Sequence, residues 1–213
     1  MERSKVPIPV ARVADSEVEV RFAIVDTETT GLDPERSAIL EICIVVVEGG
    51  QRVDRFYSRI KPTERDLELA QRRALEVNGY AARPFDWDDA PHFESVAEKI
   101  AATLDGCTPV GHNVAFDLAM LRANYRRHGF SGRVPYPAVD TLTLVAENLF
   151  PLGLRSASLG NVRAFLGWSS IGAHTAVQDV EDTLALFRLL WRATWWTRAR
   201  IRVARWFGWR VSV

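Results

Sequence analysis

The first sixty residues of the chain contain three short apolar runs separated by turn-forming positions. The runs cover residues 22–26, 39–48 and 53–60, and they are rich in Val, Ile and Phe, which favour strands. Gly31 and Pro34 mark the first turn, and Gly49-Gly50 closes a hairpin between the second and third runs. Three strands in succession predict an antiparallel meander.

Beyond residue 60 the apolar positions recur every three or four residues, which is typical of amphipathic helices. A short buried strand is predicted at residues 108–111, and a second strand ends at 139–140. Strands followed by alternating helices and strands predict an α/β fold with a mixed sheet, in which parallel strands follow the meander. Helices are predicted over residues 66–77, 93–104, 115–128, 158–166 and 181–195, and from the strand at 139–140 through Leu149.

Composition sets the domain organisation that we expect. With 213 residues and 47% hydrophobic positions, the chain fits one domain at residues 21–192, preceded by a polar leader at 1–20. No apolar run approaches the roughly 20 residues of a membrane span, and no continuous apolar segment predicts a signal peptide. The two cysteines form no metal or redox motif, so we expect a cytoplasmic protein with a buried, structural Cys43.

Charge is balanced overall but not along the chain. There are 27 basic and 27 acidic residues, whereas the stretch from Arg188 onward has Arg as its only charged residue type. Residues 193–213 form a tail rich in Trp and Arg, for which three interpretations compete. Docking onto a partner or onto the protein itself ranks first, nucleic-acid binding second, and an anionic membrane third. Ile201 and Val203 alternate with Arg, which argues against one continuous helix.

A pair of carboxylates follows directly after the first predicted strand. Asp26 and Glu28 are two residues apart, so their side chains point to the same face. Two like charges side by side are costly unless a cation neutralises them, and Mg²⁺ and Mn²⁺ prefer such oxygen ligands. The pair therefore predicts a metal site.

Two later segments supply partners for this pair. Asp117 lies in the first turn of a predicted helix after a strand-to-helix corner at Gly111 and Asn113, where the helix dipole alone would favour it. His174 lies in a predicted loop, and Asp179 begins an amphipathic helix that would direct it toward the site. We interpret Asp182, one turn further on, as surface charge, and we assign the other histidines (His92, His112 and His128) structural roles.

The order and spacing of these segments resemble the DEDDh branch of the DnaQ-like 3′–5′ exonucleases. The family's best-known member is the proofreading subunit of bacterial DNA polymerase III. Its first motif matches Asp-x-Glu-Thr-Thr-Gly at Asp26 and Glu28, and its second matches Gly-His-Asn-x-x-Phe-Asp, which ends at Asp117. The third motif matches His174 and Asp179, and the resemblance covers roughly residues 20–192.

The resemblance implies a ribonuclease H-like fold and a two-metal hydrolysis of the 3′ end of DNA, single-stranded by preference. Two Mg²⁺ or Mn²⁺ ions would be held by the four carboxylates, and His174 would act as general base. Alternatives are an RNA-trimming 3′–5′ exonuclease and a nucleic-acid-binding accessory module that associates with a DNA polymerase subunit through the tail. Many family members carry a His-Gly pair before the substrate cleft, whereas this chain has Asn78-Gly79 there. The implied substrate contacts are Thr29, Thr30, Leu32 and Asn78. Phe116 is a further candidate contact, and a position in the core fits it equally well.

Overall fold

Five strands form one mixed sheet at the centre of the protein. The structure is a computed structural model that describes residues 20–169 and 174–212, so the predicted leader lies outside the described residues apart from Val20. The order across the sheet is β3-β2-β1-β4-β5. The strands are β1 (Arg21–Thr29), β2 (Ile39–Glu48), β3 (Gln51–Arg59), β4 (Cys107–Gly111) and β5 (Val139–Asp140).

Strand directions confirm the predicted meander. β1 and β2 pair antiparallel, as do β2 and β3. Gly49 and Gly50 join the latter pair with positive φ angles of 56° and 80°, which glycine adopts without strain. β4 adds parallel to β1, and β5 adds parallel to β4. The sheet therefore changes from antiparallel to parallel at β1, the strand that carries the first carboxylate pair.

Helices cover both faces of the sheet. Three short 3₁₀ turns lie at Tyr80–Ala82, Pro84–Trp87 and Phe150–Leu152. In the part of the chain that the structure describes, the α-helices are α1 (Glu64–Glu68), α2 (Arg72–Val77), α3 (Phe93–Leu104), α4 (Val114–Arg127), α5 (Thr141–Leu149), α6 (Leu159–Leu166), α7 (Ala176–Leu190) and α8 (Trp195–Trp206). None of them is long and apolar enough to cross a membrane.

Alternation along β1 places its side chains in two different cores. Ala23 and Val25 pack with α3 and α4 on one face. Ile24 packs on the other face with residues of α7, including Val180. Asp26 and Glu28 have the same parity as Ile24, so they point toward α7 beyond the apolar part of the strand. One strand thus supplies both the core and the carboxylate pair.

The helix predicted over residues 66–77 was wrong, because the structure has two helices there. Gln71 interrupts the pattern in an extended conformation with φ −86° and ψ 117°. Its N–H donates to the Thr30 carbonyl at 2.7 Å, and its side-chain oxygen accepts a bond from the Leu32 N–H at 3.4 Å. The helical pattern is therefore interrupted at Gln71, whose backbone and side chain form hydrogen bonds with the turn after β1.

The predicted start and end of the helix at 181–195 were also wrong. α7 begins at Ala176 because the Thr175 hydroxyl caps it, accepting a bond from the Gln178 N–H at 3.3 Å. It ends at Leu190, and a separate helix, α8, begins at Trp195. The expectation that the tail forms no continuous helix was wrong: residues 195–206 are helical although Ile201 and Val203 alternate with Arg.

The tail docks onto the protein itself, which confirms the self-docking part of the first-ranked interpretation. Ile201 is fully buried and Val211 is 4% exposed, in a cluster with residues of α5, α6 and α7. The Val211 N–H donates to the Leu166 carbonyl at 3.0 Å, and the Trp168 indole donates to the Val211 carbonyl at 2.9 Å. Residues 195–212 are therefore part of the folded unit.

Candidate active site

Three carboxylates from two elements converge at the end of β1. Asp26 and Glu28 come from β1, and Asp179 comes from the first turn of α7. Each offers one oxygen atom, and these atoms all lie within 4.8 Å of one another. Packing of α7 against the face that Ile24 shares with this pair brings Asp179 to it. The arrangement has the oxygen-donor set that suits a hard divalent cation.

Asp117 approaches the same strand from the opposite helix layer. Asn113 starts α4 in the left-handed region with φ 74°, and its N–H donates to an Asp140 carboxylate oxygen at 3.0 Å. This corner places Asp117, which is only 3% exposed, beneath β1. Its carboxylate accepts bonds from the Thr27 N–H at 2.9 Å and from the Thr27 hydroxyl at 2.7 Å. Asp117 is thus fixed beside Asp26.

Burial and mutual repulsion raise the pKa values of these carboxyl groups, which opposes their ionising together. Burial first, and then the charges of Asp117, Asp179 and Glu28, raise the pKa of Asp26 well above its usual value. Burial, followed by the charge of Asp179, raises the pKa of Glu28 to about 8. Burial raises the pKa of Asp117 to about 7, although the bonds from Thr27 oppose the rise. A bound cation would lower all three of these pKa values.

Asp179 differs because it already has a cationic partner. Arg163 of α6 is 2% exposed, and its Nη2 lies 2.5 Å from Asp179 Oδ1. Its Nε lies 2.5 Å from an oxygen of Asp182, which also accepts a bond from the Gln178 amide at 3.0 Å. Burial raises the pKa of Asp179, and the Arg163 charge opposes that rise. The interpretation of Asp182 as surface charge was wrong, since it is 8% exposed and ion-paired.

His174 follows residues 170–173, which the structure does not describe, and it lies next to Asp179. Its backbone is left-handed with φ 65°, and its N–H donates to Asp179 Oδ1 at 3.3 Å. The residue itself is exposed. The backbone bond holds the loop close to Asp179, and the exposed ring is accessible from solvent.

A cavity of about 250 Å³ opens beside the carboxylates. Among the predicted substrate contacts, Thr29, Leu32, Asn78 and Phe116 line it, together with Glu28. Leu32 is 72% exposed and extends into solvent. The cavity is large enough for part of one nucleotide, and it places apolar and polar groups next to the acidic cluster.

Thr30 and Asn78 both stabilise the turn after β1. Thr30 is fully buried, its hydroxyl accepts a bond from the Ala38 N–H at 2.9 Å, and it does not line the cavity. The Asn78 amide donates to the Thr29 carbonyl at 2.9 Å, and its oxygen accepts a bond from the Tyr80 N–H at 3.2 Å. The structure brings Asn78 to the site but not the side chain of Thr30.

The sequence analysis missed Arg163, which pairs with Asp179, and it also missed Gln71 and Arg73 among the residues that line the cavity. A signal for Arg163 was present in the helical spacing. Leu159, Val162 and Leu166 lie at positions i, i+3 and i+7, and Arg163 occupies i+4 on the same face. A charged residue on the buried face of a helix requires a buried partner.

Two of the histidines with predicted structural roles, His112 and His128, make structural contacts. His112 joins two segments, with Nδ1 2.9 Å from the Thr141 hydroxyl and Nε2 2.6 Å from the Ala157 carbonyl oxygen. Burial lowers the pKa of His112. His128 caps the end of α4, and its Nδ1 lies 2.7 Å from a Glu94 oxygen. His92 is the residue before the first turn of α3.

Comparison with known sequences places this site in a family. The model of the RNase_T family, described as Exonuclease, matches residues 23–187, which include all five predicted catalytic positions. The chain belongs to the DnaQ-like exonuclease family. A PolC-type DNA polymerase III of Thermotoga maritima is 34% identical over 170 residues, covering 79% of this chain and 12% of that protein. The 3′-5′ exonuclease DinG of Bacillus subtilis is 31% identical over 169 residues, covering 78% of this chain and 17% of that protein.

Solved structures confirm the ribonuclease H-like fold. A product-bound exonuclease I superposes with a TM-score of 0.68 at 18% identity, covering 85% of this chain and 45% of that one. Exonuclease I of E. coli in complex with a dT13 oligonucleotide gives a TM-score of 0.64 at 20% identity, covering 89% and 43%. The DnaQ-like member described here spans less than half of these chains and less than a fifth of the polymerase and DinG relatives.

Proposed function

We propose that the chain is a divalent-metal-dependent 3′–5′ exonuclease that removes nucleoside monophosphates from single-stranded DNA ends. The observation that carries this proposal is the convergence of Asp26, Glu28 and Asp179 within 4.8 Å. In the described residues, no ion pair includes Asp26, Glu28 or Asp117. A relative that is a 3′-5′ exonuclease, and the oligonucleotides bound to exonuclease I, support the choice of reaction and substrate.

The residues present fit two Mg²⁺ or Mn²⁺ ions. Asp26, Glu28 and Asp179 would hold one ion, and Asp26 would share the second with Asp117. When bound, such ions activate a water molecule and offset the charge that develops on the phosphate. The raised pKa values of Asp26 and Glu28 support this assignment, since both carboxyls ionise more readily beside a cation.

His174 would take the proton of the attacking water. Its exposed ring can exchange that proton with solvent, and the bond from its backbone N–H keeps it beside Asp179. Leu32 and Phe116 would hold the terminal base and sugar by apolar contact. Asn78 would act by fixing the turn that carries Thr29 and Leu32. The two buried thiols support a cytoplasmic location, where cysteines remain reduced.

The test is a degradation assay with 5′-labelled oligonucleotides. We expect shortening of single-stranded DNA from the 3′ end in Mg²⁺ or Mn²⁺, slower shortening of matched RNA, and no shortening in EDTA. Asp26→Ala should abolish activity, and Glu98→Ala, at an exposed position on α3, serves as the control. Equal degradation by wild type and Asp26→Ala, or degradation in EDTA, would overturn the proposal.

A second candidate function is an exonuclease module that acts together with a DNA polymerase subunit, which the PolC-type names favour. Deleting the tail is a poor test, because Ile201 and Val211 belong to the hydrophobic core. Gel filtration of the intact chain with a polymerase catalytic subunit is more direct. Co-elution is expected under this second function, and separate elution would count against it.

A further inference from the structure

α8 carries a second apolar face that the fold does not use. At 3.6 residues per turn, Trp195, Trp196, Val203 and Trp206 fall within about 100° of one another, and Ile201 lies opposite them. Ile201 is fully buried against the domain, whereas Trp195, Trp196 and Trp206 are 64%, 66% and 85% exposed. The helix is therefore held by one side and presents aromatic rings on the other.

The turn after α8 extends this exposed face. Phe207 and Trp209 are 59% and 62% exposed, and their rings stack at 4.9 Å. The Trp209 N–H donates to the Ala204 carbonyl at 2.8 Å, which fixes the turn against the helix. Single exposed apolar residues are ordinary, but a contiguous patch of this kind marks an interaction surface.

Arginines border the apolar face on both sides. Arg200 and Arg202 lie within about 40° of its two edges on the helical wheel. Arg188, Arg192 and Arg200 line a cavity of about 200 Å³ together with Thr197, next to the Trp196 edge. In the part of the chain that the structure describes, the ion pair of α8 joins Arg198 to Glu147 of α5 at 3.5 Å. The surface thus fits an anionic, apolar partner.

We propose that this surface, residues 195–209 with Arg188 and Arg192, binds the surface of an anionic phospholipid bilayer. Aromatic and aliphatic side chains in one plane would enter the interface between headgroups and acyl chains. The bordering arginines would keep their charged ends at the lipid phosphates while their stems lie along the apolar face. The proposal does not depend on the nuclease assignment.

Three observations favour a bilayer over single-stranded nucleic acid. Trp195 stacks on Trp196 at 3.6 Å, so one face of each ring is already covered, whereas base stacking uses open ring faces. Val203, in the middle of the apolar face, offers nothing to a base. In addition, the arginine side chains of α8 in the described chain donate hydrogen bonds to α5, α6 and residue 212, and none of these bonds reaches the cavity beside the carboxylates.

Vesicle sedimentation with the full-length chain tests this proposal. Wild type should sediment with vesicles of phosphatidylcholine and phosphatidylglycerol at least about tenfold more than with phosphatidylcholine alone. The triple variant Trp195→Ala, Trp196→Ala, Trp206→Ala should lose binding. The control Phe85→Ala, Tyr136→Ala removes two aromatics that are each 81% exposed elsewhere, and it should bind like wild type.

A second variant keeps the test decisive if the triple variant misfolds. Arg192→Gln with Arg202→Gln changes two exposed side chains and should weaken anionic-vesicle binding by about fivefold for each arginine. Binding of a labelled dT20 oligonucleotide in EDTA is measured in parallel. Failure of wild type to bind anionic vesicles would overturn the proposal. So would variants that lose oligonucleotide binding while vesicle binding stays unchanged.

Discussion

The carboxylates at the two ends of the acidic cluster differ in whether a protein cation balances their charge. At the β1 end, Asp26 and Glu28 are half-buried beside Asp117 with no ion-pair partner among the described residues. At the α7 end, Asp179 and Asp182 share the guanidinium of Arg163, with both contacts at 2.5 Å. The protein thus provides a cation at one end and leaves the other end short of positive charge.

This difference indicates that the carboxylates at the α7 end stabilise the fold, whereas those at the β1 end suit a bound cation. Asp182 pairs with Arg163 and bonds to Gln178, so its charge joins α6 to α7. Among the described residues, Asp26 and Glu28 form no ion pair, and burial together with the neighbouring carboxylates raises their pKa values. A cation bound there would stabilise the folded protein.

The largest expected effect comes from the end without a cation. Asp26→Ala removes the carboxylate that both ions would share, and we expect activity to fall by about 10³-fold or more, on the order of 4 kcal/mol in the barrier. Its melting temperature in EDTA should not fall, because a repelling charge has been removed. Single-turnover rates and thermal denaturation check both parts, and a destabilised but active variant would contradict them.

His174→Ala tests the proton acceptor at the α7 end. We expect kcat to fall by about 10²- to 10⁴-fold with little change in KM, since the ring acts on water rather than on the bound strand. The backbone bond to Asp179 does not need the side chain, so the fold should be unaffected. A rate within twofold of wild type would remove the assigned role.

Removing Arg163 should make the α7 end resemble the β1 end. Arg163→Met leaves Asp179 and Asp182 buried without a cation, and we expect a loss of about 3 kcal/mol in the free energy of unfolding in EDTA. Added Mg²⁺ should then stabilise the variant more than wild type. Arg72→Met, whose side chain is 92% exposed, is the control and should change stability little. Equal unfolding of both variants would remove the distinction between the two ends.

The pH dependence of stability follows from the raised pKa values. A carboxyl whose pKa is raised on folding binds more protons in the folded state than in the unfolded state, so stability falls as pH rises. For Glu28 this window runs from its ordinary value of 4.5 to about 8. We expect the metal-free protein to be less stable at pH 8 than at pH 5, and Glu28→Gln to flatten the slope. Urea denaturation at both values measures it, and a slope unchanged by the substitution would contradict the assignment.

The smallest effect is expected at the cavity rim. Leu32 is 72% exposed, so Leu32→Ala should not change stability, but it should raise KM by roughly three- to tenfold with kcat nearly constant. Steady-state kinetics on a short oligonucleotide gives both constants. A fall in kcat at constant KM would place Leu32 in the chemical step rather than in binding.

The fold and the acidic residues could be predicted because their signals are local. Alternation along β1 fixes which side chains share a face, and the spacing from His174 to Asp179 lies within one loop and one helical turn. The Arg163 pairing required knowing that α6 and α7 pack together, which no local pattern states. The break at Gln71 and the helix at residues 195–206 likewise depend on tertiary contacts, at Thr30 and Ile201, that override the pattern along the chain.

Titration with a metal ion measures whether these carboxylates hold two cations. Calorimetry of Mn²⁺ into the protein at pH 7.5, with a nucleoside monophosphate present, should show two bound ions for wild type and for Glu98→Gln. Asp26→Asn should lose both ions, and Asp117→Asn should lose one. Absence of Mn²⁺ binding to wild type, or unchanged binding to Asp26→Asn, would contradict the account.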